Sequence, residues 1–143
     1  MPLRRVADQP TWLLSRAHAR AQAILGAAFG QAGVRGYHYR LMAALEQFGP
    51  TSQADLGRNT GIDRSDVVAA LNELAEWGWI RRDPDPADRR RNVVSLTAAG
   101  LARLVQLDDV LASVQDEVTA PLTAPERRTL VDLLARLVGP EAH

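Results

Sequence analysis

Gly78–Gly100 reads GWIRRDPDPADRRRNVVSLTAAG. Two β-prone runs, Trp79-Ile80-Arg81-Arg82 and Asn92-Val93-Val94-Ser95-Leu96, flank Asp83-Pro84-Asp85-Pro86-Ala87-Asp88 and three consecutive arginines. Proline lacks the N–H that a ladder uses, so Pro84 and Pro86 mark a tip, with β-formers on either side. This is a long hairpin, a wing. It is the one departure from helix in the chain.

On its N-terminal side stands TSQADLGRNTGIDRSDVVAALNELAEWGW, Thr51–Trp79. Ser52 is an N-cap candidate for a short helix carrying Ala54, Leu56 and Gly57, which Gly61 ends. Asp63 and Asp66 have capping-box spacing and open a further helix, in which Val67, Leu71 and Leu74 form a buried stripe. Two helices joined by a tight glycine-containing turn are a helix-turn-helix. Further upstream, Leu14, Ala17, Ala21, Leu25 and Ala28 are spaced three and four apart, predicting a helix over Thr11–Phe29 with Thr11 as its N-cap. A second helix spans Tyr37–Phe48 and stops at Gly49-Pro50. Downstream of the wing, Thr97 opens a long helix with Leu101, Leu104, Leu111, Val114 and Val118, ended by Pro121. Thr123 and Glu126 form a capping box for a last helix with Leu130, Leu133, Leu134 and Leu137, stopped by Gly139-Pro140.

The fold class is therefore mainly α with a small β-hairpin wing: a winged helix-turn-helix with N- and C-terminal dimerisation helices. The terminal helices carry apolar stripes but find no sheet or bundle partner in one chain, so a second copy is the economical cover. At 143 residues the chain fits a single domain, 1–143. A chain of this size buries roughly 70% of its unfolded surface and needs no cross-link to fold.

Composition narrows the function. The chain has no cysteine, which excludes disulfides, thiolate zinc sites and thiol redox switches. Three histidines, one of them the final residue, are too few for a metal sensor. No phosphate loop, nucleophile elbow or carboxylate pair stands out, so no enzyme and no cofactor is expected. The opening MPLRRVADQP lacks the apolar run of a signal peptide and no stretch approaches membrane-spanning length, which predicts a cytoplasmic protein without membrane contact. Net charge is zero, yet all 17 basic residues are arginine. Arg81, Arg82, Arg89, Arg90 and Arg91 crowd the wing, and a local basic finger on a neutral body can still grip phosphate.

In this order and spacing the segments resemble the MarR family of winged-helix regulators. Asp85–Gly100, DPADRRRNVVSLTAAG, resembles the family's wing signature, and LNELAEWGWIRR resembles the end of its recognition helix with the first wing strand. The match runs from Gly33 to about Gly100. The resemblance implies a triangular homodimer whose dimerisation helices are 11–32 and 98–138 and whose winged lobes are 36–97. It also implies a repressor of transcription at a palindromic double-stranded DNA operator, released by a small aromatic or phenolic ligand.

The face of the recognition helix opposite Val67, Leu71 and Leu74 presents Arg64, Ser65, Val68, Ala69 and Asn72 to the major groove, the first two best placed for base edges. On the wing, the family pattern implies that Asp88 braces the hairpin while Arg90 enters the minor groove, helped by Arg89. Three arginines in a row alternate faces on a strand, so Arg89, Arg90 and Arg91 cannot all point one way. Arg58 and Ser52 are phosphate candidates. The lobe also carries Asp55, Glu73, Glu76, Asp83 and Asp85, so affinity must rest on a few placed contacts with a modest salt slope. For the ligand, Trp12, Arg16 and His18 on the first helix and Tyr37, His38 and Tyr39 opening the second are the candidates, Arg16 and His38 foremost, since a cation between aromatic walls suits an aromatic anion. The competing reading is a winged-helix module for protein association, its wing arginines gripping an acidic partner.

Overall fold

A computed structural model describes residues 3–140. Along the chain run α1 (Pro10–Gln31), α2 (Gly36–Phe48), β1 (Thr51–Ser52), α3 (Gln53–Thr60), α4 (Arg64–Glu76), β2 (Ile80–Pro84), β3 (Asn92–Leu96), α5 (Ala98–Val118) and α6 (Ala124–Val138). The mainly helical winged helix-turn-helix class is as the sequence predicts. The chain divides into two compact units, Leu25–Leu111 and the described residues on either side of it. Helices α1 and α5 each contribute to both.

The first unit is the lobe. Its core gathers Phe29 of α1, Leu41, Met42 and Leu45 of α2, Leu56 of α3, Val67, Leu71 and Leu74 of α4, Ile80 and Val94 of the sheet, and Leu104 and Leu107 of α5. The α4 stripe is buried as its three- and four-residue spacing requires. The sheet has three antiparallel strands in the order β1-β3-β2. Ile80 faces Leu96 and Arg82 faces Val94 in the hairpin, while Thr51 and Ser52 add on the far edge of β3 opposite Val94 and Val93. Pro84 closes β2 rather than opening the tip; β2 is an edge strand, where a terminal proline is tolerated.

The base of the wing is locked to α5. The N–H of Thr97 donates to Trp79 O (3.1 Å) and its hydroxyl to Gly78 O (2.7 Å). One turn on, a Cβ at Gly100 would lie 2.1 Å from Trp79 O. Only glycine admits this approach of helix to strand backbone.

In the other unit, Arg20 donates to the carbonyls of Val118 (2.8 Å) and Glu117 (3.2 Å), satisfying the end of α5 where a cation also suits the helix dipole. Arg127 of α6 reaches Asp116 at 2.7 Å. The capping box at α6 forms as its sequence suggests: Thr123 N–H to Glu126 Oε1 is 2.9 Å and Glu126 N–H to Thr123 Oγ1 is 3.3 Å. None of the residues of α6 is buried.

Two cap assignments need correction. Pro10, not Thr11, opens α1, and Leu13 N–H bonds to Gln9 O at 3.0 Å. Proline's preset φ and missing N–H suit the first helical position, which shifts the cap back one residue. At α4, the Asp63–Asp66 box does not form. The Asp63 carboxylate accepts from the Ser65 hydroxyl at 2.6 Å and makes no capping bond.

Candidate nucleic-acid interface

Helix α3, the N-terminus of α4 and the wing enclose a groove of about 640 Å³ in the lobe. Ser52, Arg58, Arg64, Val68, Arg90 and Arg91 all line it. These six come from three separate stretches of the sequence. Pairing of β1 with β3 draws the α3 cap to the wing, and the glycine turn at Gly61 (φ +67°, left-handed) sets α4 against α3. Ser65, Ala69 and Asn72 are exposed along the same helix as Arg64 and Val68.

The tip of the wing is a tight turn. Asp85 N–H bonds to Arg91 O at 2.8 Å, and Arg91 N–H to Asp88 O at 2.9 Å. The Asp85 carboxylate accepts from Ala87 N–H, and that of Asp88 from Arg90 N–H (2.9 and 3.1 Å). The same Asp88 receives the Arg90 guanidinium, with Nε at 3.2 Å, and Arg91 Nε lies at 4.0 Å. Hydrogen bonds from Arg90 hold the Asp88 carboxyl below its ordinary range. The Arg90 side chain is nonetheless 90% exposed. Its cation is oriented from beneath and open to solvent above.

Charge across the groove is partly neutralised from within. Arg58 pairs with Asp55. The Asp55 carboxyl is lowered first by Ser52 and then by Arg58. Ser52 Oγ accepts from Asp55 N–H at 3.2 Å, capping α3. Arg64 and Arg89 make no ion pair among the described residues. The arrangement therefore presents a small number of directed cations, not a broad basic face.

Two groove residues escaped sequence reasoning. Gln53 and Asn92 line the groove, and no local signal marks either. Arg82, read from sequence only as part of the wing's basic cluster, donates from Nη1 to Asn72 Oδ1 at 2.7 Å. Alternation along β2 from the buried Ile80 was the available signal, because it puts Arg82 on the same face.

The ligand candidates divide between the units. Arg16 lies 5.8 Å from the centroid of the Trp12 ring, one helical turn away, and both it and His18 are exposed. In the lobe, Tyr37 is at the surface, whereas the Tyr39 ring stacks on Phe29 at 5.7 Å and its hydroxyl donates to Asp108 at 2.6 Å. Burial first, and then this bond, raise the Tyr39 phenol to about 12. His38, foremost among the candidates with Arg16, has an internal role. It is 1% exposed, its Nδ1 accepts from Arg35 N–H at 2.9 Å, and its ring meets the edge of Trp77 at 4.8 Å. Its Nε2 is 3.5 Å from Glu73 Oε1. Burial lowers the His38 pKa, with Glu73 opposing, so the neutral ring is favoured.

A sequence profile of the MarR family matches residues 32–91. The transcriptional repressor NicR of Pseudomonas putida is 28% identical over 138 residues, 96% of this chain and 87% of that protein. Another curated relative, 33% identical over 99 residues, is matched over only 60% of its own length. Among solved structures, a "probable transcriptional regulator" from Pseudomonas aeruginosa superposes with a TM-score of 0.80 at 34% identity, over 92% of this chain and 98% of that one. BpsR of Bordetella bronchiseptica, whose DNA binding is regulated by 6-hydroxynicotinic acid, superposes with a TM-score of 0.80 at 26% identity, over 92% of this chain and 94% of that one.

Proposed function

This chain belongs to the MarR family of transcriptional regulators, and from that premise we propose that it is a homodimeric, sequence-specific DNA-binding repressor that a small aromatic anion releases from its operator. The convergence of Ser52, Arg58, Arg64, Arg90 and Arg91 on one groove carries this reading. The N-terminal turn of α4 enters the major groove, where Arg64 and Ser65 meet base edges and Val68 and Ala69 offer apolar contact. Arg90, held by Asp88, reaches into the minor groove, where the potential is most negative. Arg58, Arg89 and Arg91 take phosphates.

A dimer follows from the apolar surface that one chain leaves uncovered. Leu13 and Leu14 of α1 and Val131, Leu133, Leu137 and Val138 of α6 are exposed, the last two by more than 60%, a density that monomers rarely tolerate. Two recognition helices then read half-sites about 34–36 Å apart along a palindrome. An effector favouring another spacing lowers operator affinity by population shift. The regulation of BpsR by 6-hydroxynicotinic acid supports an aromatic carboxylate as that effector, and Arg16 beside Trp12 supplies a cation against an aromatic wall.

The test is fluorescence anisotropy of the full chain on the intergenic DNA upstream of its own gene and on a scrambled duplex, near physiological salt. A preference of about 10³ or more is expected. Arg90→Ala should remove most of it at unchanged melting temperature. A series of aromatic carboxylates should include one that releases the wild-type complex but not that of Arg16→Ala. Equal weak binding to both duplexes would overturn the operator reading in favour of a protein-association module. A releasing ligand acting equally on Arg16→Ala would take Arg16 out of its site.

A further inference from the structure

We infer that Arg82 is a positioning residue for base readout: by holding the side-chain oxygen of Asn72, it fixes the amide so that its NH2 group is the part offered to the DNA. This rests on the DNA-binding reading above and adds to it a second residue and a chemical preference. Asn72 and Arg82 lie on different elements, the recognition helix and the first wing strand, and are joined by an Arg82 Nη1–Asn72 Oδ1 hydrogen bond of 2.7 Å.

The amide orientation follows from donor chemistry. Oxygen and nitrogen of an asparagine amide are interchangeable in shape, and an unpartnered amide can face either way. A guanidinium carries only donors, so the atom facing Arg82 has to be the oxygen. The NH2 then lies on the other side of the amide. Arg82 is itself well anchored: its backbone pairs with Val94, which is fully buried in the middle of the sheet. Strand alternation puts its side chain on the face of Ile80, a core residue, and toward α4. Asn72 directly follows the buried Leu71, on the edge of the buried stripe, and is exposed.

An asparagine free to turn reads adenine with both of its atoms, accepting from N6 and donating to N7. With the oxygen held by a cation, Asn72 reads by donation, and its preference goes to base pairs that present acceptors in the major groove, above all guanine N7 and O6. The bond also ties the angle of the wing to the recognition helix, so losing it affects readout more than folding. Both side chains are exposed, and exposed polar pairs contribute little to stability.

Selection of bound duplexes from a random pool by the full-length wild type, Asn72→Ala, Arg82→Met and Arg82→Lys decides the matter, with thermal melting measured alongside. Asn72→Ala should lower the preference at one base pair of each half-site by about five-fold or more. Arg82→Met should lower it at that same base pair, Arg82→Lys should restore part of it, and all variants should melt within a degree or two of the wild type. If Arg82→Met weakens all sequences alike and leaves that base pair selected, Arg82 is a phosphate contact and the inference is overturned. It is equally overturned if Asn72→Ala changes no position. A wild type that selects no sequence removes the operator reading itself, and the inference with it.

Discussion

At the scale of single residues, His38 shows how a side chain suited to ligand chemistry is taken up by the fold. Two ring nitrogens beside aromatic neighbours read from sequence as a binding group. In the lobe, however, one nitrogen holds the Arg35 N–H at the start of α2 and the other points at Glu73 across a buried gap. Because burial depresses its pKa below 6.5, the unfolded chain takes up the proton first as pH falls. Stability from the neutral ring is therefore complete above about pH 6.5 and declines as the pH drops toward the folded value. Melting followed by circular dichroism should be flat from pH 8 to 7 and fall as the pH drops below about 6.5, and His38→Gln should flatten that fall. The carboxylates with lowered pKa, Asp55, Asp63, Asp88 and Glu126, act in a more acidic window and leave this one clear. An unchanged profile in His38→Gln would assign the fall to another group.

At the scale of elements, the wing and the helix after it behave as one piece. Turn chemistry and β-formers were legible in the sequence because they are local, and Pro121, Gly61 and Gly139-Pro140 end helices for local reasons too. The two-residue β1 was not legible: it is too short for any period, and it exists only because β3 offers a free edge beside it. Gly100 gave no sign of its role either, since a glycine in a helix is ordinarily only a weak point. Against Trp79 O it is obligatory. Gly100→Ala should destabilise the protein by about 1–3 kcal/mol, the usual cost of forcing an atom into packed structure, and chemical denaturation would read it. Because the obstacle is backbone, the effect should be opposite in sign to that of Gly30→Ala in α1, where an added Cβ meets nothing within 4 Å.

At the scale of the whole molecule, the main question is what covers the apolar terminal helices. Val131, Leu137 and Val138 are each at least 60% exposed, and no residue of α6 is buried within one chain. Sedimentation at micromolar concentration should give a dimer. Leu137→Asp should shift it toward monomer, by burying an unpaired charge if the face is an interface. Operator affinity should fall with it, because half-site binding loses the gain from linked sites. A wild-type monomer would sink the dimer proposal while leaving the lobe and its groove intact.

By itself the sequence determined the helices, the helix-turn-helix, the hairpin and the short list of arginines that face the groove, because caps, periodicity and turn residues act over a few positions. Only the tertiary structure decided that the start of α3 and the wing line one groove, that His38 is internal and that Arg82 bonds to Asn72. Each of these depends on contacts between residues far from their own backbone neighbourhood, or across a strand and a helix. A side chain's availability is set by what packs against it, and no local pattern records that.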